Sequence, residues 1–282
     1  MMTRAIPQTQ VIEGSNKRLI SLDLTLSNSE SNKSPIVIFC HGYKGFKDWG
    51  CWNLVAEYFA QNGFHFLKFN FSHNGVTPNT PTDFSDLEAF GNNNYTKELA
   101  DLEAVINWLE TECSEKSRIQ LDSIYTIGHS RGGGIVSLAA AKDSRIKKGV
   151  TWASVFDLTE RLPKNTEEWR ENGVVHQLNG RTKQEMPLYF QFYENTAMNK
   201  KELSIAYQGR KIRSPFCIIH GAEDTAVSLE EAIKLHEIIP SSELIIMEHT
   251  GHTFGSYHPW NSSQLPTELK EVVEETIRFL QD

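Results

Sequence analysis

Ser130, Asp224 and His252 are the residues whose types and order in this chain could carry acyl transfer. A serine hydroxyl is a weak nucleophile by itself. A histidine must accept its proton, and a carboxylate must orient that histidine. Ser130 sits in Gly128-His129-Ser130-Arg131-Gly132, between the apolar run IYTIG at 124–128 and the Ala-rich run IVSLAAAK at 135–142. Gly-x-Ser-x-Gly between a strand and a helix predicts a tight, strained turn that presents the hydroxyl above the edge of a sheet. Small residues two positions to either side avoid collisions, and the helix behind brings a positive dipole end to developing negative charge. At such an elbow the neighbour His129 points away from the hydroxyl and reads as structural.

Around an elbow of this kind the partners follow in the order serine, acid, histidine. After the run FCIIH at 216–220 comes Gly-Ala-Glu-Asp-Thr, and Asp224 is preferred to Glu223 because Gly-x-x-Asp places it at the loop apex. The competing reading is a helix cap. After ELIIM at 243–247 comes Glu-His-Thr-Gly-His-Thr-Phe, where Gly251 lets the loop bend and His252 is preferred to His249, which lies closer to the strand. His176, His220 and His258 have no partner in the right order. An oxyanion also needs N–H donors: Arg131 supplies one amide, and Tyr43, after His41-Gly42 at the end of the first long apolar run, supplies the other. His41 reads as a hydrogen-bonding structural residue.

The elements that must position these residues are legible as runs. RLISLDLTL at 18–26 alternates Leu22, Leu24 and Leu26 with polar residues, the period of a half-buried antiparallel strand, and 9–13 is a candidate partner. Residues 35–40, 65–69, 124–128, 149–153, 216–220 and 243–247 are short unbroken apolar runs, as in strands covered on both faces. Helical patterns fall at 52–61, 95–112, 132–142, 230–239 and 269–280; in 95–112 the stripe is Leu99, Leu102, Ile106 and Leu109. The alternation predicts an α/β fold with a mostly parallel sheet, helices on both faces, and antiparallel strands extending one edge. Residues 155–213 break it: they carry Phe156, Trp169, Tyr189, Phe190, Phe192 and Tyr193 but no clear buried strand. Such a length predicts an inserted unit with structure of its own.

The chain has 282 residues, 39% hydrophobic and 23% charged, which is enough apolar material for a sizeable core. Its net charge of −8 argues against nonspecific binding to nucleic acid or an anionic membrane. No run approaches the roughly 20 apolar residues of a membrane span. The opening residues 1–11 show no secretory pattern. Cys40, Cys51, Cys113 and Cys217 are scattered without metal spacing. These features together predict a soluble, reduced, cytoplasmic protein without a structural metal. Nothing in the sequence speaks to oligomeric state.

The pieces HGYKGFKDW at 41–49, FNFSHNG at 69–75, GHSRGG at 128–133, HGAEDTAV at 220–227 and TGHTF at 250–254 occur in family order. They resemble the α/β-hydrolase superfamily, and more narrowly its bacterial branch of cinnamoyl/feruloyl esterases and dienelactone-hydrolase-like and prolyl-oligopeptidase-like enzymes. The resemblance implies an α/β-hydrolase core at 1–154 and 214–282. It also implies a cap at 155–213, between the sixth strand and the acid-bearing strand, acting as a lid. It implies cofactor-free hydrolysis of a small to medium carboxylic ester, aromatic-acyl esters among them, through an acyl-enzyme. Two other readings stay open: a peptidase or amidase, for which no gating propeller is present, and a catalytically silent binding protein.

Overall fold

The computed structural model describes residues 7–29, 31 and 33–282. Residues 1–6 of the stretch read above for a secretory leader, and Glu30 and Asn32 of the polar turn after Leu26, lie outside the described residues.

The main sheet is built from β1 (Gln8–Glu13), β2 (Leu19–Thr25), β3 (Ser34–Cys40), β4 (His65–Phe69), β5 (Ile119–His129), β6 (Ile146–Trp152), β9 (Phe216–Gly221) and β10 (Ser242–Met247). Its order is β1-β2-β4-β3-β5-β6-β9-β10. From β4 to β10 every pairing is parallel, while β1 and β2 join the β4 edge antiparallel. β5 thus runs at the centre, with β3 and β6 on either side, and the chain leaving its C-terminal end emerges between theirs.

Helices cover both faces: α1 (Trp52–Gln61), α3 (Tyr95–Thr111), α4 (Arg131–Ala140), α8 (Leu229–Ile238) and α9 (Thr267–Gln281), with the short α2 (Leu87–Gly91) beside α3. One core layer takes Leu102, Val105 and Ile106 of α3, Ile135 and Leu138 of α4, and Ala232 and Leu235 of α8. The other takes Trp52, Val55 and Phe59 of α1 with Leu269, Val273 and Leu280 of α9. In α9 the buried residues Leu269, Val272, Val273, Thr276 and Leu280 keep helical spacing, which is why that segment folds as a helix against the sheet. Each large apolar side chain removed from water contributes roughly 1.5–3 kcal/mol. All four cysteines are buried free thiols.

Between β6 and β9 lie α5 (Thr166–Asn172), β7 (Val174–Leu178), β8 (Glu185–Tyr189), α6 (Gln191–Met198) and α7 (Ile205–Gln208). β7 and β8 form a separate antiparallel two-stranded sheet. This corrects the expectation that 155–213 holds no clear buried strand: Met186, Pro187 and Leu188 of β8 are buried. The pattern hides it because β8 is five residues long and carries Pro187, a residue usually confined to edges. Trp169 and Phe192 are buried, and the Trp169 indole N–H donates to the Leu188 carbonyl at 2.8 Å, so both are packing residues. Among the described residues no helix is long and apolar enough to cross a membrane.

Candidate active site

β5 delivers the chain into Ser130 at φ 56°, ψ −119°, and α4 begins at the next residue. A non-glycine residue with positive φ is uncommon and strained, and here the surroundings enforce it. A Cβ on Gly128 would lie 2.2 Å from the Gly132 carbonyl oxygen, and one on Gly132 would lie 2.2 Å from that of Cys40. Both glycines of the motif are therefore required by backbone against backbone. The Ser130 amide donates to the Trp152 carbonyl at 2.9 Å, which fixes the elbow to the end of β6. Ser130 is half-buried, and its hydroxyl makes no hydrogen bond to any described residue.

The loop after β9 carries Asp224, whose side chain is fully buried. Its Oδ1 accepts the amides of Ala226 and Val227 at 2.8 and 2.9 Å, and its Oδ2 accepts from His252 Nδ1 at 2.7 Å. Burial would raise its pKa, but the His252 bond and the two amides outweigh burial and hold it below the usual carboxylate range. With Nδ1 committed to a carboxylate, His252 has its Nε2 lone pair available to accept a proton. The rivals diverge: Glu223 is 65% and His249 90% exposed at the side chain, and the two face each other at 3.5 Å.

His129 lies against this pair. Its Nε2 is 2.9 Å from the His252 carbonyl oxygen, its ring is 4.9 Å from the His252 ring, and Trp52 packs on it at 5.5 Å. A carbonyl can only accept, so Nε2 carries the hydrogen. Burial, with the neighbouring His252, pushes the His129 pKa down to about 3, so the ring is neutral. Fully buried His220 donates from Nε2 to the Val227 carbonyl at 2.9 Å, bracing the turn that holds Asp224. Sequence spacing marked neither histidine as part of the site; only their positions directly before Ser130 and four residues before Asp224 hinted at it.

On the opposite side the loop after β3 closes on the elbow. A Cβ on Gly42 would lie 3.0 Å from Ser130 Cβ, so the loop approaches the elbow closely and a side chain here would push against Ser130. His41 donates from Nδ1 to the Gly42 carbonyl at 2.9 Å and accepts at Nε2 from the Phe71 amide and the Asn74 side chain. Both ring nitrogens are thus engaged, and burial holds its pKa at about 4. Next in the chain, Tyr43 stacks its ring on the Arg131 guanidinium, 3.9 Å from the ring centroid. Arg131 is buried and lies 3.4 Å from buried Glu98.

Four of the sequence-predicted residues, Ser130, Asp224, His252 and Tyr43, therefore fall on turns and loops at the C-terminal edge of the sheet, and the fifth, Arg131, opens α4 beside them. Asp224 and His252 are directly bonded, and Tyr43 and Arg131 are in direct contact. A cavity of about 640 Å³ between α3, the end of α4 and the Asn199–Leu203 turn has none of the five in its lining.

The chain belongs to the α/β hydrolase fold family: residues 35–176, half of its length, match it. An uncharacterized 31.7 kDa protein of Escherichia coli, from the traX-finO intergenic region, is 35% identical over 126 residues, which span 44% of this chain and 39% of that protein. Among solved structures, ferulic acid-bound Est1E from Butyrivibrio proteoclasticus superposes with a TM-score of 0.71 at 18% identity, over 96% of this chain and 98% of that one. GrgF, an α/β hydrolase from Penicillium, gives 0.73 at 14% over 98% of each chain. A puromycin hydrolase gives 0.66 at 17%, over 98% of this chain but 38% of its own. At these identities the likeness is one of fold.

Proposed function

We propose that the chain is a serine hydrolase of carboxylic esters, with Ser130 as nucleophile, His252 as general base and Asp224 as the orienting acid. The observation that carries this reading is the 2.7 Å Asp224–His252 bond, on a loop tethered through His129 to the strained Ser130 elbow. Ser130 Oγ attacks the ester carbonyl while His252 Nε2 takes its proton, and the oxyanion is held by the amides of Tyr43 and Arg131. The tetrahedral adduct collapses as His252 returns the proton to the leaving alcohol. Water then repeats the sequence on the acyl-enzyme, releasing the acid and restoring Ser130. Asp224 keeps the proton of His252 on Nδ1 and stabilises the imidazolium. No step calls for a cofactor.

Residues 155–213 act in this reading as a cap beside the acyl pocket, and the substrate is a small to medium ester. The Est1E structure that superposes on the chain holds ferulic acid, which makes aromatic acyl groups the first to try.

The test is turnover of p-nitrophenyl acetate, p-nitrophenyl butyrate and methyl ferulate beside an amide analogue, with Ser130→Ala in parallel. Esters cleaved by the wild type alone support the reading. Equal rates for both proteins remove Ser130 as nucleophile. Amide turnover above ester turnover moves the chain to the peptidases. Failure of a fluorophosphonate to label Ser130 would make the fold a silent one.

A further inference from the structure

The side chain of Tyr43 reaches two ways. Its ring lies against the Arg131 guanidinium and 5.6 Å from Phe90, while its hydroxyl donates to Gln177 Oε1 on β7 at 3.1 Å. The following residue does the same: Lys44 Nζ donates to the Leu178 carbonyl at 3.0 Å. Lys44 itself has φ 56°, a left-handed conformation that a lysine keeps only under restraint. Two consecutive residues of the loop after β3 are thus tied to two consecutive residues of the β7–β8 hairpin.

The hairpin is anchored in turn. Gln184 donates to the Phe84 carbonyl at 3.0 Å, Arg181 lies over the rings of Phe46 and Phe84, and the Tyr189 hydroxyl bonds Glu88 on α2. Arg131 is held from behind by Glu98, Tyr95 and Phe192. One continuous set of contacts therefore runs from the hairpin, through the Tyr43 side chain, to the first residue of α4.

We propose that Tyr43 is a positioning residue through which the β7–β8 hairpin, with Gln177 as its contact, sets the geometry of the oxyanion hole. This rests on the reading above, in which the Tyr43 and Arg131 amides are the donors. The stack on Arg131 holds one donor against the other, and the bond to Gln177 stops the Tyr43 backbone from rocking away from the elbow. Sub-ångström placement matters because such donors act only where the oxyanion forms. With the hairpin lifted, the hole loses its alignment, so the cap governs turnover as well as access.

The test uses Gln177→Ala, Gln177→Glu and Tyr43→Phe, each with its thermal midpoint measured, on p-nitrophenyl butyrate. A trifluoromethyl ketone, whose hemiketal oxyanion mimics the adduct, reports on the hole directly, and fluorophosphonate labelling of Ser130 reports independently of ester choice. Gln177→Ala and Tyr43→Phe should each lower kcat about tenfold with KM nearly unchanged, and weaken the ketone by the same factor. The double variant should be no worse than either single one. Gln177→Glu keeps an acceptor for the Tyr43 hydroxyl and should restore the rate. Unchanged kcat and ketone affinity, a rise in KM alone, or losses that multiply in the double variant would each overturn the proposal. If Ser130→Ala stays active, or wild-type Ser130 resists labelling, the underlying serine-hydrolase reading has failed and takes this one with it. A dead Ser130→Ala beside unaffected Gln177 and Tyr43 variants sinks the coupling alone.

Discussion

The imidazole of His129 donates its Nε2 hydrogen to the backbone carbonyl of His252 at 2.9 Å, so the residue before the candidate nucleophile holds the loop of the candidate base. Asp224 orients the His252 ring, whereas His129 fixes the backbone from which that ring hangs. His129→Phe keeps a ring of similar width against Trp52 and removes only the donor. A net hydrogen bond is worth about 0.5–1.5 kcal/mol, so kcat should fall roughly two- to tenfold with little change in KM. Steady-state kinetics with p-nitrophenyl butyrate checks this, and a purely larger KM would place His129 outside the alignment of the base.

Asp224 receives two backbone amides besides His252, and these hold the carboxylate in place whatever the histidine does. Asp224→Asn keeps the size but can present an N–H to His252 Nδ1, favouring the wrong tautomer. In a comparable triad that exchange costs about 10⁴ in kcat, and a loss of that order is expected here. A loss under tenfold would mean that another group orients His252.

The glycines of the elbow are separable from ordinary glycines by what a methyl group would meet. On Gly132 it meets the backbone carbonyls of Cys40 and His41 at 2.2 and 2.7 Å; on Gly180 it meets nothing within 4 Å. Gly132→Ala should therefore destabilise by about 3 kcal/mol or more, since no rotamer can relieve a backbone clash. Gly180→Ala should be neutral or stabilise by up to about 1 kcal/mol. Urea unfolding of the two variants measures the contrast, and equal midpoints would refute the steric account.

Much of this architecture is legible in the sequence. Residues 52–61 read as a helix and form one, because their apolar positions recur at helical spacing and a turn closes each end. Gly-x-x-Asp and Gly-His separated Asp224 from Glu223 and His252 from His249, and the structure buries the first of each pair more deeply. What stayed hidden has a common cause. β7, β8 and α2 are five residues each, too short for a period to emerge. The Tyr43–Gln177 bond joins residues 134 apart, and no spacing rule reaches across that distance. Arg131 is legible as an amide donor, but the partners of its side chain, Glu98, Tyr95 and Phe192, come from α3 and α6, and only tertiary structure assembles them.

The loop that carries Tyr43 is also nailed down by charge. Lys47 and Lys68 both bond Asp23 Oδ2 at 2.6 Å, and both bond Asp48, forming a buried alternating group of two cations and two anions. Although burial would raise it, the two lysines hold the Asp23 pKa below its ordinary value. Asp23→Ala would leave two buried ammonium groups sharing Asp48. Removing one partner of a buried pair typically costs about 3–5 kcal/mol, and that loss should appear in denaturant unfolding. A cost below about 1 kcal/mol would mean that water reaches the lysines.

Acid should unfold this protein through its histidines before its carboxylates. Burial lowers His41 and His73 to about 4 and His129 to about 3, from an ordinary 6.5. At pH 5 the unfolded chain binds protons on all three imidazoles and the folded chain refuses them. Their contribution is therefore complete above about pH 6.5 and fades as pH falls toward the folded values. Asp101 opposes this: burial raises it from 3.8 to about 6, so between those values the folded chain holds a proton that the unfolded chain gives up. Burial raises Glu98 as well, but it also lowers His65, His220 and His258. Six imidazoles against two carboxyls leave net proton uptake on unfolding, and stability should fall by about 1–3 kcal/mol per pH unit between pH 6 and 5. His129→Phe removes one of these imidazoles and should flatten that slope by about 1 kcal/mol per pH unit. Urea midpoints at pH 7, 6 and 5 for both proteins decide it: a wild-type stability that is flat or rises as pH falls would mean that these imidazoles titrate normally.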